Sequence, residues 1–183
     1  TRLMGAFIAY LFKAECIRHF FVLAPNLTIY NKLIADFTPN TPKYVFQGIS
    51  EFAVEPPEII TGDNYDSGRG GRARTLFGTD ERVHVNIFNI SKITSTETPK
   101  GAEKTNVPRF RRLQEYIGQS YFDYLSKLDD LVLLMDESHR YRASAGMKAI
   151  GELKPVLGLE LTATPHVERG GGTQPFQNVI YAY

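Results

Sequence analysis

Three segments of the chain are mainly apolar, and polar or turn-forming residues follow each of them directly. They are residues 20–24, 131–135 and 157–161. An apolar run of strand length without alternation is typical of a strand buried on both faces, as in a parallel sheet covered by helices. We therefore predict three buried strands at these positions.

Helices are predicted around these strands. Residues 3–15 are apolar nearly all round, with Gly5 at a close packing contact, and residues 27–37 repeat apolar side chains at helical spacing. Two prolines end the second helix, because proline cannot continue the hydrogen-bond ladder. A longer helix is predicted to begin at Pro108 and to lead into the second apolar strand.

The remaining pattern is less regular. Residues 43–49 predict a further strand, residues 59–61 a short strand or turn edge, and residues 83–90 a strand with partial alternation. Helix followed by strand, repeated, is the signature of an α/β layered domain. Since neither an internal repeat nor a second composition regime is present, the sequence predicts one domain.

Two adjacent carboxylates follow the second apolar strand. Asp136 and Glu137 come directly after it, and His139 lies two residues further on. Ligands of parallel sheets bind beyond the carboxyl ends of the strands, where these carboxylates would emerge. One carboxylate could hold Mg²⁺ while the other deprotonates an attacking water. The alternative is a core strand that ends in charged surface residues, and the segment alone does not decide between them.

Two hydroxyls follow the third apolar strand. Thr162 and Thr164 lie two positions apart, so in extended chain they point the same way. Their hydroxyls could hydrogen-bond to His139 or Glu137. Alone, these threonines would be an ordinary strand-end turn. Together with the carboxylates one helix earlier, they favour a nucleotide site.

Composition sets limits on the class of protein. The hydrophobic content of 43%, the charged content of 22% and the net charge of +1 are ordinary for a soluble globular domain and give no overall field that would attract nucleic acid. A single cysteine, Cys16, is compatible with the cytoplasm, and four scattered histidines show no zinc spacing. The apolar segment 3–12 is too short to span a bilayer, which takes about 20 residues.

A segment rich in glycine and arginine, residues 62–82, allows two interpretations. Its arginines could contact a phosphate backbone. Its acidic residues dilute that charge, so it could equally be a solvated loop or hairpin tip. The sequence leaves both open.

These motifs resemble those of superfamily 2 helicases and translocases. Asp-Glu-Ser-His at 136–139 is similar to their motif II, a variant of the Walker B box, and Leu-Thr-Ala-Thr-Pro at 161–165 resembles motif III. Val-Leu-Ala-Pro-Asn at 22–26 is similar to motif Ia. The phrases at 136–143 and 158–165 look most like the motor (Res) subunit of type III restriction enzymes.

The resemblance implies a fold and roles for named residues. The fold would be a three-layer α/β RecA-like domain of the P-loop NTPase class, with a mainly parallel sheet, lacking its first strand and P-loop. Asp136 would bind Mg²⁺ and Glu137 would be the general base for ATP hydrolysis. The residues that couple hydrolysis to movement would be His139, Thr162 and Thr164. The residues of motif Ia that contact nucleic acid would be Pro25, Asn26 and Leu27.

The start of the chain resembles the end of a phosphate-binding loop. Thr1 would then be the hydroxyl that coordinates Mg²⁺, while the glycines and the lysine of that loop are absent. Residues 1–183 would be the first RecA-like domain, incomplete at its N-terminus, without the second motor domain or any nuclease domain. We expect this chain alone to bind ATP poorly and to hydrolyse none, because those missing groups supply most of the triphosphate binding.

The resemblance also implies partners. A type III motor would act on double-stranded DNA together with a modification (methyltransferase) subunit. A membrane would not be among its partners. Two alternatives stay open: another superfamily 2 DNA or RNA helicase, and a RecA-like scaffold that has lost nucleotide chemistry.

Overall fold

A five-stranded sheet, parallel throughout, forms the middle layer of the domain. The computed structural model describes residues 1–64, 82–89, 119–137, 150–162, 166–169 and 172–175. The strand order is β2-β3-β1-β4-β5. The strands are β1 (His19–Ala24), β2 (Glu58–Thr61), β3 (His84–Asn89), β4 (Leu131–Asp136) and β5 (Leu157–Leu161). All three predicted apolar strands are confirmed, and so are the short strand at 59–61 and the strand within 83–90.

The helices predicted at 3–15, at 27–37 and from Pro108 agree with the structure where it describes them, whereas the short helix at Ser50–Val54 was not predicted. They are α1 (Arg2–Glu15), α2 (Leu27–Phe37), α3 (Ser50–Val54) and α4 (Gln119–Leu125). Helix α4 falls within the helix predicted from Pro108, whose earlier part lies outside the described residues. Two further strands, β6 (His166–Arg169) and β7 (Gly172–Pro175), form a separate antiparallel pair.

Alternate residues of the inner strands pack into two cores, one on each face of the sheet. On one face, Val22 of β1 and Leu134 of β4 pack with Met4 and Ile8 of α1. On the other face, the neighbouring strand residues pack with α4 and with residues 150–153. Because side chains alternate along a strand, both faces need helical cover, which gives three layers. The predicted three-layer α/β class is therefore confirmed.

A polar group inside the second core joins α4 to two strands. The Asn86 amide nitrogen donates to the Phe20 carbonyl at 3.0 Å, and the Tyr121 hydroxyl donates to the Asn86 side-chain oxygen. Burial raises the pKa of the Tyr121 phenol. A buried polar side chain is tolerated when its hydrogen bonds are satisfied, and these bonds align α4 with β1 and β3.

The strand predicted at 43–49 is wrong. Residues 41–48 form consecutive turns, with the Tyr44 N–H donating to the Thr41 carbonyl and the Gln47 N–H to the Tyr44 carbonyl. Phe46 is buried, and the centroid of its ring lies 4.4 Å from the ring centroid of Phe52. The apolar side chains of this segment are thus covered by helices instead of by sheet neighbours.

The burial predicted for the third apolar strand is also wrong in part. Strand β5 lies at the edge of the sheet, and its residues are exposed or half-buried. Leu157 is 38% exposed and the preceding Val156 is 57% exposed. Among the described residues no helix is long and apolar enough to cross a membrane.

The side of the sheet at which the parallel strands begin, here called its amino edge, is held together by Asp130, which precedes β4. Its carboxylate accepts the Arg18 N–H at 2.8 Å and lies 2.5 Å from the His19 ring nitrogen Nδ1. The Arg18 carbonyl accepts the His84 N–H at 2.7 Å, so the starts of β1, β3 and β4 are connected. Burial raises the pKa of Asp130, but the hydrogen bonds from His19 and Arg18 outweigh it and hold that pKa below its ordinary value.

We expect Asp130→Asn to lower the free energy of unfolding at neutral pH by about 1 kcal/mol, because a half-exposed charged acceptor is lost. A carboxylate whose pKa is depressed by folding stabilises the protein above its unfolded pKa, and this stability is lost as the pH falls through the folded pKa. The difference between wild type and variant should therefore shrink below about pH 4 in urea unfolding. The exposed neighbour gives the control, since Asp129→Asn should change little. If Asp130→Asn lowered the unfolding free energy equally at neutral and acid pH, the stabilisation would not come from the charge of Asp130.

The close contact predicted at Gly5 is confirmed, and it can be tested. A Cβ at Gly5 would lie 3.0 Å from Cβ of Val45, whereas a Cβ at Gly151 would meet no atom within 4 Å. We expect Gly5→Val to lower the unfolding free energy by about 2 kcal/mol through overpacking. Gly151→Val should be close to neutral in the same thermal or urea unfolding. Equal stability of the two variants would show that α1 does not pack against Val45.

Candidate functional site

The carboxyl ends of three adjacent strands lie side by side. Leu23 is paired with Met135, which brings Ala24 level with Asp136, and Asp136 is itself paired with Leu161. The residues that follow these strand ends are therefore neighbours along the carboxyl edge of the sheet, which is the side at which its parallel strands end. The structure thus brings together Asp136 and Glu137, the start of the Thr-Ala-Thr-Pro segment, and the loop between β1 and α2.

The backbone N–H of Glu137 makes the last hydrogen bond of the parallel ladder between β4 and β5. The Glu137 N–H donates to the Leu161 carbonyl at 2.8 Å. Glu137 has a φ of 50°, in the left-handed region that costs a residue other than glycine roughly 1–2 kcal/mol. A strained residue of this kind persists only where surrounding contacts hold it, and the bond to Leu161 is one such contact. The chain therefore leaves the strand at Glu137, and the alternation of β4 ends at Asp136.

The alternation of β4 assigns Asp136 to the face that carries α1. Val132 and Leu134 pack into the core that contains Met4 and Ile8 of α1. Asp136 continues the same alternation and is half-buried at the end of the strand. Its carboxylate thus belongs to the side of the sheet on which α1 lies.

Thr1 lies at the same edge of the sheet on that face. Helix α1 packs on the sheet and ends three residues before β1 begins, so it runs antiparallel to β1. Its 14 residues span about 21 Å, close to the roughly 20 Å of a six-residue strand. Thr1 precedes α1, and its carbonyl accepts the Gly5 N–H at 3.0 Å. The first turn of α1 is therefore at the carboxyl edge.

The side chain of Thr1 is contacted by a lysine that the sequence did not single out. The Lys32 ammonium of α2 donates to the Thr1 hydroxyl at 2.8 Å and to the Asp36 carboxylate at 2.7 Å. The pair Lys32 and Asp36 has helical i,i+4 spacing, which the sequence does reveal. The contact with Thr1 spans 31 positions and has no local signal.

The oxygen atoms at this edge suit magnesium. Carboxylate and hydroxyl oxygens are hard ligands, and Mg²⁺ usually takes one or two protein ligands together with waters and phosphate oxygens. Asp136 and Thr1 fit that donor set. Across the described ranges, no group of three or more His, Cys, Asp or Glu residues could hold a metal ion by itself.

The loop between β1 and α2 is held by a helix cap. The Asn26 side-chain oxygen accepts the Ile29 N–H at 2.9 Å, so Asn26 caps α2. Pro25 is half-buried, and Leu27 is 55% exposed. This cap fixes the direction in which the three predicted nucleic-acid contacts leave the sheet.

An ordered turn follows β2 at the same edge. The Asn64 side-chain oxygen accepts the Thr61 N–H at 2.7 Å, and the Tyr30 hydroxyl of α2 donates to the Asp63 carboxylate at 3.4 Å. Burial raises the pKa of the Tyr30 phenol. This turn begins the segment rich in glycine and arginine, of which residues 65–81 lie outside the described part of the chain. Both interpretations of that segment stay predictions.

The three predicted coupling residues differ in whether the structure describes them. Thr162 directly follows Leu161 at the carboxyl edge and is half-buried. His139 and Thr164 lie outside the described residues. Sequence reasoning also missed the left-handed backbone at Glu137, for which the sequence has no glycine or asparagine signal.

A parallel sheet covered by helices, with adjacent carboxylates at the carboxyl end of an inner strand, is typical of a RecA-like motor domain of the helicase type. The comparison with protein families agrees, because the family described as "Type III restriction enzyme, res subunit" matches residues 1–167. The chain belongs to this family and is a helicase-like ATPase motor domain of that kind. Comparison with curated proteins finds no significant match, and neither does comparison with solved structures.

The left-handed conformation at Glu137 makes a prediction about stability that does not depend on catalysis. Glycine adopts this conformation without strain, whereas alanine does not. We expect Glu137→Gly to be more stable than Glu137→Ala by about 1 kcal/mol in urea unfolding, the reverse of the usual order. An alanine variant that is the more stable of the two would show that Glu137 is not left-handed.

Proposed function

We propose that the chain forms the first RecA-like lobe of an ATP-driven translocase that moves along double-stranded DNA, as the restriction subunit of a type III enzyme. The observation that carries this proposal is the hydrogen bond from the Glu137 N–H to the Leu161 carbonyl. It connects the strand end that bears two carboxylates to the strand end that bears the threonines, at the edge where parallel sheets bind ligands. Family membership supports helicase-type ATP hydrolysis and the use of a nucleotide, for which Mg²⁺ would be the metal.

Two residues would hold the metal. Asp136 and Thr1 belong to the same face and the same edge, and they offer the hard oxygen ligands that Mg²⁺ prefers. When bound, Mg²⁺ would neutralise charge on the nucleotide phosphates and help orient them. Asp136 would reach it from the end of β4, and the Thr1 hydroxyl from the start of α1.

Glu137 would be the general base. It would accept a proton at its carboxylate from the water that attacks the terminal phosphate. The strained backbone supports this role, because a left-handed residue at a strand end carries its side chain out of the regular alternation. The two carboxylates would thus have separate roles, since Asp136 would bind the metal and Glu137 would take the proton.

The threonines and the histidine would couple hydrolysis to movement. Thr162 lies next to Leu161, whose carbonyl is bonded to the Glu137 backbone, so a displacement at Glu137 would reach Thr162 through Leu161 alone. Thr164 and His139 would extend this connection. A second RecA-like lobe would close on the site and supply the arginine that stabilises the transition state.

DNA and the partner subunit complete the proposal. Pro25, Asn26 and Leu27 would lie against the nucleic-acid backbone, and the cap of α2 by Asn26 supports a fixed position for them. In a restriction enzyme of this type, the second motor lobe and the nuclease would lie outside residues 1–183, and the modification (methyltransferase) subunit would supply DNA methylation. The family membership supports both the interaction with DNA and the methylase partner.

Glu137→Gln tests the base in the full-length protein. We expect ATP binding to stay within about twofold, because the size and the hydrogen-bonding edge of the side chain are kept, while hydrolysis falls about 100-fold or more. Steady-state phosphate release and nucleotide binding measure the two effects. The exposed Glu152 provides the control, since Glu152→Gln should leave both unchanged.

The outcomes separate the proposal from its alternatives. Unchanged turnover in Glu137→Gln would remove Glu137 from the role of base. A full-length wild-type protein that neither binds nor hydrolyses ATP would favour the scaffold, and turnover stimulated by RNA but not by DNA would favour another helicase of the superfamily. Residues 1–183 alone, which contain neither the glycines nor the lysine of a phosphate-binding loop, should show no turnover.

A further inference from the structure

The Lys32 ammonium contacts the side chain of Thr1, the residue before α1, which the proposed function makes a ligand of the metal. Its ammonium lies 2.8 Å from the Thr1 hydroxyl oxygen and 2.7 Å from an Asp36 carboxylate oxygen. Lys32 belongs to α2 and Thr1 precedes α1, so the contact bridges two helices on the same face of the sheet. No motif includes Lys32.

Asp36 fixes the position of the ammonium. Its residue exposure is only 7%, although it is charged, and its backbone carbonyl accepts the Val45 N–H at 2.9 Å. A carboxylate this deeply buried requires a partner, and Lys32 one helical turn earlier is that partner. The lysine side chain is 55% exposed, so its ammonium stays near the surface where a nucleotide could approach.

The chemistry of the two groups decides what the contact does. An ammonium only donates hydrogen bonds, so the Thr1 oxygen must accept from Lys32 with one of its two lone pairs. The second lone pair and the hydroxyl hydrogen then point elsewhere. This arrangement leaves one lone pair for a metal ion and one hydrogen for a phosphate oxygen.

We infer that Lys32 is a positioning residue, which orients the Thr1 hydroxyl for Mg²⁺ before the nucleotide binds. The inference rests on the proposed function, since it assumes that Thr1 is a ligand of the metal. It adds a residue that acts through Thr1 and that is itself held by Asp36. Residues that orient metal ligands typically contribute about 10- to 100-fold to metal affinity.

A second lysine on the same face provides a matched control. Lys13 of α1 also pairs with a carboxylate, Glu51, at 2.8 Å, and its side chain is 58% exposed. This pair lies at the opposite end of α1 from Thr1. Lys13→Met thus removes one positive charge and one ion pair from the same face without touching the hydroxyl, and its partner Glu51 is more exposed than Asp36, at 34% against 9% of the side chain.

The test is the binding of a fluorescent ADP analogue to the full-length protein, with Mg²⁺ and with EDTA. We expect Lys32→Met to weaken binding about tenfold in Mg²⁺ and to leave binding in EDTA unchanged. Lys32→Arg keeps the charge and the donors and should restore most of the affinity. Lys13→Met should match wild type under both conditions. Melting curves of all variants test whether they are folded. If Lys32→Met is unfolded, Lys32→Gln takes its place.

Three results would overturn the inference. Lys32→Met could bind like wild type in Mg²⁺, it could bind more tightly because a repelling charge is gone, or it could lose affinity equally in Mg²⁺ and EDTA. The last result would mean that Lys32 acts on the phosphates directly and not through Thr1. A wild-type protein whose ADP binding is the same in Mg²⁺ and EDTA would instead show that the proposed metal site, and this inference with it, is wrong.

Discussion

The parallel direction of the strands in the five-stranded sheet is the constraint on which the rest of this domain depends. Parallel strands must be joined by crossover connections, so each helix that follows a strand runs back across a face of the sheet. Helix α2 follows β1 and helix α1 leads into β1, so both helices begin at the edge where the strands end. The same geometry that buries Val22 and Leu134 brings the start of α1 to the edge and face of Asp136.

The two edges of the sheet have different physical roles. At the amino edge, Asp130 and the Arg18 backbone join three strands through charged and main-chain hydrogen bonds. At the carboxyl edge, polar residues follow the strands where the hydrogen-bond ladder ends, and the backbone of Glu137 is in the left-handed conformation. Backbone strain persists only if other contacts hold the residue in place, and the well-packed strands behind Glu137 provide them. In the proposed function, the contacts that stabilise the sheet and the chemistry would therefore be located at opposite ends of β4.

The bond between Glu137 and Leu161 gives the proposed motor a physical means of coupling. Main-chain hydrogen bonds are short and directional, so a shift of one strand end is transmitted to its neighbour more faithfully than through flexible side chains. In the proposed mechanism, this main-chain bond joins Glu137, whose carboxylate would take the proton, to Leu161, which directly precedes Thr162. The family membership supports a helicase-like ATPase motor domain, and in the proposed translocase this connection would link the nucleotide site to movement.

The amino-acid sequence by itself determined the class of fold and most of its elements. Two uninterrupted apolar runs became inner strands, and residues 27–37 became a helix with the predicted ends, because local spacing alone decides which side chains can share a face. Apolar content did not distinguish a strand from buried turns at 43–49. It also did not reveal that β5 lies at an edge, since edge position depends on which neighbours a strand has. The left-handed Glu137 and the contact of Lys32 with Thr1 were decided only by the tertiary structure, because both are held by hydrogen bonds between residues far apart in the chain.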